Sequence, residues 1–154
     1  MFKTKISPLI LEDFSILDSS CETIFPVENE TESSSKDKDL SVYIDFDILK
    51  DKEDQNKIVI FVEVELNKEK KTGYYAKAKG AAIFYIDDKK ISKKDKDNLV
   101  LRSGVSICIT NIRAYIANIT SSYPLGKYQF PAIDMNDLLK QKMLNDKNEN
   151  STKE

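Results

Sequence analysis

The chain has 154 residues, 24 basic and 26 acidic side chains, a formal net charge of -2 and no histidine. The near balance of charge argues against a general polyanion binder, and no basic block combines with aromatics to form a nucleic-acid stripe. Without histidine the chain lacks the usual general base near neutral pH and the commonest metal ligand.

The length suits one domain with one core. Residues 1–144 are expected to form it, with a polar loop at 28–39 and a disordered polar tail at 145–154. The apolar run Pro8 to Leu11 is too short for a signal sequence. No apolar stretch approaches the roughly 18 residues that span a bilayer. A soluble cytoplasmic protein without membrane insertion is therefore expected.

Ile6 to Ile16 reads as a first, somewhat irregular strand, with Pro8 suited to a sheet edge. Ile24-Phe25-Pro26-Val27 is a short apolar patch with no room for an element of its own, and the run from Glu28 to Asp39 is polar and low in complexity. Leu40 to Leu49 alternates: Val42, Ile44, Phe46 and Ile48 point one way, and Ser41, Tyr43, Asp45 and Asp47 the other. That pattern predicts a strand with one buried face. Ile58, Ile60, Val62, Val64 and Leu66 form a second apolar face, and a Lys-rich turn leads through Gly73 into a third alternating strand, Tyr74 to Ile86. Its centre is made of small residues, which would let a helix or a second backbone approach closely.

The apolar face of this antiparallel sheet needs a cover. Asp97 is a candidate cap for a helix beginning near Asn98, and Val105, Cys108, Ile109, Ile112, Ile116 and Ile119 recur at helical spacing. Ser103-Gly104 is placed to kink or fray that helix near its start. Asp134 is a plausible cap for a second helix, Met135 to Leu144, with Leu138, Leu139 and Met143 as its apolar face. Between the helices lies a loop rich in Tyr, Pro and Phe, Tyr123 to Pro131. Loops are normally polar. This one is either packed over the sheet or forms the wall of an apolar groove, in which Tyr and Phe grip with large area and few rotors.

No catalytic constellation emerges. Glu63 with Glu65, and Asp45 with Asp47, have the spacing of carboxylate pairs on a strand, yet read as solvent-facing positions. The four glycines are scattered, so no phosphate-cradling loop is available. Cys21 and Cys108 form no CxxC pair, and Cys108 falls on the apolar face of the helix as a small core residue. No metal site, no cofactor and no enzymatic activity are expected.

The chain resembles the SecB family of export chaperones. The residues that carry the likeness are Gly80 to Ile86 with Arg113 and Ile116, Gly126 to Leu138 with Pro131, Ile133 and Asp134, Glu12 to Ile16, and Leu40 to Asp47. Their order and spacing extend over about 130 residues. The resemblance implies an α+β protomer with a four-stranded antiparallel sheet and two helices on one face, assembling as a dimer of dimers. It implies a holdase that binds unfolded or pre-secretory polypeptides without ATP. The client groove would draw on Phe25, Val27, Val42, Ile44, Leu125, Tyr128, Phe130 and Leu138, and the oligomer interface of a homotetramer on Val105, Ile109, Ile112, Arg113 and Ile116.

One departure bears on partners. Family members that deliver cargo to the SecA motor are acidic on the exposed sheet face. Here Lys77 and Lys79 stand in that region and Leu17 replaces an expected carboxylate, although Asp13 remains. Complementarity to a basic partner is weakened or reversed. The family also contains SecB-like chaperones of toxin–antitoxin systems with one antitoxin client, and this chain fits that alternative equally.

Overall fold

The computed structural model describes residues 1–26, 40–87 and 91–151, with 147–151 described by their backbone alone. Four strands form one antiparallel sheet: β1 (Leu9–Ile24), β2 (Val42–Lys50), β3 (Lys57–Leu66) and β4 (Gly73–Ile86). Their spatial order is β1-β4-β3-β2. Sequence neighbours β2–β3 and β3–β4 are hairpins, whereas β1 pairs with β4, so the chain crosses from one sheet edge to the other between β1 and β2. Val27 and the polar run 28–39 belong to that connection and lie outside the described residues.

The alternation in β3 and β4 is realised residue by residue. Ile58, Ile60, Val62, Val64 and Leu66 are buried on one face with Tyr74, Ala76, Ala78, Ala82, Phe84 and Ile86. Residue 80 lies under the Phe14 ring of β1, where a Cβ would come within 2.7 Å of Cζ, so any larger residue would have to push that ring aside. The small residues of β4 thus admit a side chain from β1. The helical cover comes close over β3, where a Cβ on Gly104 would meet Ile60 Cδ1 at 2.6 Å.

β1 corrects the sequence reading. It starts later and runs eight residues further than Ile16, and it includes Ile24. Its register shifts twice against β4, between Leu11 and Asp13 and between Ile16 and Asp18. Such bulges bend and twist an edge. Its second half lacks alternation because few of its side chains are buried on either face.

The sheet is covered by a continuous helical run: α1 (Lys93–Leu99), a π turn (Val100–Gly104) and α2 (Val105–Thr120). The helix starts before the predicted Asn98. Ser92 is its cap, accepting from the Asp95 N–H at 3.3 Å, while Asp97 pairs with Lys50 at 2.9 Å. The irregularity expected at Ser103-Gly104 takes the form of the π turn. By length and composition this 28-residue run is apolar enough to cross a membrane. The sequence reading missed it because Arg102 and Arg113 interrupt it. The core helix of a soluble protein passes the same test, and the Val105–Ile116 stripe of this one packs on the sheet.

The last helix, α3 (Met135–Ser151), is capped as expected, with Asp134 Oδ1 accepting from the N–H groups of Asn136 and Asp137 at 2.9 and 3.2 Å. Its helical backbone continues through the segment expected to be a disordered tail as far as Ser151. No glycine or proline interrupts it, and its Lys, Asn, Asp and Glu residues are compatible with a solvated helix. Leu139 is buried and Leu138 half-buried, but Met143 is 55% exposed, so the expected apolar face ends one turn early.

Candidate functional site

The loop after α2 is pinned by polar contacts as well as by its rings. Thr120 is buried at the end of α2, and its Oγ1 accepts from the Tyr128 N–H at 2.9 Å. Tyr74 of β4 stands edge-on to Tyr123 and Tyr128, with ring centroids 6.1 and 6.2 Å away, and its hydroxyl donates to the Gly126 carbonyl at 2.7 Å. Gly126 adopts φ 77°, a left-handed conformation that favours glycine. The Tyr123 hydroxyl donates to the Cys21 carbonyl at 3.3 Å, which fastens the loop to β1. Arg113 Nη2 donates to the Phe130 carbonyl at 3.0 Å, and the guanidinium lies 5.9 Å from the ring centroid.

These contacts divide the predicted client-binding residues. Phe130 is only 4% exposed and belongs to the core, and Tyr128 is half-buried against Tyr74, so neither forms an open wall. Leu125 is 51% exposed and Phe25 60% exposed. Both stand at the end of the sheet where β1 finishes, β4 begins and β2 starts. Val27 lies outside the described residues.

Val42, Ile44 and Leu138 come together. With Ile133 they supply the apolar part of a groove of about 760 Å³ between the outer edge of β2 and α3. Its rim includes the strand carboxylates that the sequence pattern places toward solvent, and Asp45 and Asp47 are indeed exposed. Asp45, Asp47, Glu63 and Glu65 line it from the sheet, Asp134, Asp137 and Asp146 from the helix side, and Lys142 is the one basic lining residue among the described residues. Lys142 Nζ reaches across the β2 edge to Asp45 at 2.8 Å and Asp47 at 3.3 Å, and stands 5.6 Å from the Phe46 ring centroid. Burial raises the Asp45 carboxyl, but the Lys142 ammonium and the Phe46 N–H outweigh it and hold the group below the usual carboxylate range. No local pattern marks Lys142, because its partners lie 97 and 95 positions away.

The start of β2 is fixed by Asn67, a fully buried residue at φ 56° in the β3–β4 turn. Its amide nitrogen donates to the carbonyls of Lys71 and Tyr74, its carbonyl accepts from the Lys71 N–H, and its backbone N–H donates to Ser41 at 2.7 Å. Beside it the Glu69 carboxylate accepts from Ser41 Oγ and from the Tyr43 hydroxyl at 2.8 Å, which hold it down to about 2.

The predicted oligomer-interface residues fall inside the protomer. Val105, Ile109, Ile112 and Ile116 are buried against the chain's own sheet, and Arg113 is engaged with Phe130. A helix stripe that fills its own core cannot also face a second copy. The outer side of α2 presents Thr110, Ala114 and Asn118, all exposed. On the open sheet face, Lys77 pairs with Glu63 at 2.7 Å, and Lys79 lies 4.0 Å from the same carboxylate.

Among the described residues no three His, Cys, Asp or Glu side chains are grouped to hold a metal ion. Burial pushes the Cys108 thiol up to about 12, which leaves it protonated and unreactive at neutral pH. What the described surface offers at this place is apolar area, an acidic rim and a strand edge.

No protein-family model matches the chain, and no curated protein matches it. Among solved structures it is similar to a SecB-like chaperone from Mycobacterium tuberculosis, solved in complex with a ChAD peptide from the HigA1 antitoxin. The two share 14% identity at a TM-score of 0.55, covering 82% of this chain and 91% of that one. A protein of unknown function from Streptococcus agalactiae aligns at 9% identity and a TM-score of 0.42, over 80% of this chain and 97% of that one, too distant to support an argument. The four-stranded antiparallel sheet with its helical cover is thus a fold that this chain shares with that SecB-like chaperone.

Proposed function

We propose that the chain is an ATP-independent chaperone that holds non-native polypeptide, with no enzymatic activity and no cofactor. The observation that carries this reading is the groove between β2 and α3, where Val42, Ile44, Ile133 and Leu138 form an apolar strip beside an open strand edge. Residues 1–144 act as one chaperone domain in the cytoplasm. Four copies assemble as a dimer of dimers, and the exposed small residues Thr110, Ala114 and Asn118 of α2 offer a face for close helix contact. Aggregation of an unfolded protein, followed by light scattering without ATP, tests the holdase. Suppression by the wild-type chain and its loss on Leu138→Ser with Leu125→Ser are the expected results. No suppression by the wild type, or a clean monomer of 17.6 kDa on sizing, would count against it.

A second reading is a dedicated chaperone of one antitoxin. Two observations favour it: the similar chaperone of known structure was solved with an antitoxin peptide, and Lys77 and Lys79 occupy the sheet face. Pre-secretory chains and the SecA motor are the partners of the first reading. A pull-down with and without SecA separates the two, because a dedicated chaperone retains one dominant client and ignores the motor.

A further inference from the structure

The odd-numbered residues of β3 and β4 alternate with the buried set under α2 and so belong to the opposite, open face of the sheet. In an antiparallel sheet a face of this kind is commonly polar. Here it divides along the strands into two halves, because cross-strand partners stand side by side in rows. In one half the rows are Val59 with Ile83 and Phe61 with Ala81, and Leu49 of β2 extends the first of them. In the other half they are Glu63 with Lys79 and Glu65 with Lys77. Phe61 is only half-buried, Leu49 is 57% exposed, and Leu17, at the second bulge of β1, is 53% exposed. Together these three line a trough of about 530 Å³ that crosses the open face from β1 to β2. Large apolar side chains gathered on an uncovered surface mark an interaction site.

We propose that this face binds a second copy of the chain, sheet on sheet, across a two-fold axis that runs along the strands between β3 and β4. Such an axis lays β4 of each copy over β3 of the other, row upon row. Every β3–β4 cross-strand pair is then repeated between the copies. Phe61 meets Ala81 of the other copy, a large side chain set on a small one, and Val59 meets Ile83. Glu63 and Glu65 meet Lys79 and Lys77. A two-fold axis across the strands would instead set apolar rows on charged ones, so only the first arrangement is complementary in both halves. Aligned sheets cross at about 30°, and the match is closest at the Phe61 row, on the axis. Four strands of about nine residues, spaced about 4.8 Å apart, cover about 600 Å² per copy, which reaches the lower limit of a specific interface. The apolar rows supply the affinity and the charged rows select the orientation. This surface is separate from the exposed side of α2, on which the proposed dimer of dimers draws, and it stands whatever the groove binds.

The test is sedimentation equilibrium of the full chain. Phe61→Lys puts a charge among the apolar rows and is expected to weaken self-association about thirtyfold. Lys79→Glu and Glu63→Lys are each expected to weaken it about fivefold. A one-to-one mixture of these two chains is expected to regain the wild-type affinity, because both pairs between the copies are then opposite in charge. Contacts within one chain predict no such recovery, and the mixture decides the matter even where Phe61→Lys fails to fold. A wild-type chain that stays monomeric would overturn the sheet-face dimer. So would association that Ala114→Lys on α2 abolishes while Phe61→Lys leaves it unchanged, and the α2 contact would then stand alone. A mixture that associates no better than its two components would overturn the two-fold pairing.

Discussion

The helix-connecting loop and the β2 edge exchange the roles their compositions suggest. The loop is aromatic and looks like a gripping surface, yet its rings are seated on Tyr74, Thr120 and Arg113. The β2 edge carries aspartates and looks like ordinary solvated sheet, yet it borders a groove of about 760 Å³, beside Leu138. Aromatic content alone does not distinguish a packed loop from an open one. The polar anchors decide it: a buried threonine accepting from the loop backbone, and a tyrosine hydroxyl donating to a loop carbonyl.

This contrast is open to direct challenge. The largest effect is expected at Phe130. Because its ring is in the core, Phe130→Ala should cost about 3 kcal/mol in denaturant unfolding; a cost typical of a surface residue would return the loop to the client-gripping role. Next comes Asn67→Ala, expected to cost about 2 kcal/mol, because it strips partners from buried carbonyls and puts alanine at positive φ. Tyr74→Phe removes the bond to Gly126 while keeping the ring, and about 1 kcal/mol is expected, with increased amide exchange at 124–128.

The smallest stability effect is expected on the groove side. Leu125→Ser should change unfolding by less than about 0.5 kcal/mol while lowering client capture, and unchanged capture would remove Leu125 from the site. The docking of α3 should also depend on pH in a defined sense. The Asp45 carboxyl is held below its ordinary value, so its contribution is present above about pH 4 and is lost as pH falls through the depressed value. Burial lowers the Lys142 ammonium, but the Asp45 and Asp47 contacts raise it above its ordinary value of 10.5. Its contribution is present below that value and is lost as pH rises beyond it. The protection of α3 amides, taken relative to an unfolded chain at the same pH, should therefore be flat between these limits and fall at both ends. A fall in protection near neutral pH would show that Lys142 does not hold the helix to the edge.

How much was legible depended on burial. β2, β3 and β4 were readable because one face of each is apolar and the period is two. The second half of β1 was not, since an edge strand with little burial has no pattern to display. The start of α1 was missed because the strongest capping signal, Ser92, sits in a Lys- and Asp-rich run that resembles solvated loop. In the candidate site the apolar members Val42, Ile44 and Leu138 were legible, whereas the rim needs the fold: Lys142 meets Asp45 only once α3 lies along the β2 edge. The α2 stripe was recognised as apolar, but sequence could not say whether it served the protomer's own sheet or a neighbour.

The π turn at Val100–Gly104 has a consequence for how this chain tolerates length changes. A π turn holds one residue more than an α turn requires. Deleting a single residue there would leave a regular helix with each flank facing almost as before, because the wider turn already absorbs the extra residue. Lys96 would then stay within reach of Gln55 and Asn56, and Asp97 of Lys50. The same deletion inside α2 would turn the preceding residues by about 100°, so the stretch between Leu99 and Val105 is where this helical run should best tolerate the loss of one residue.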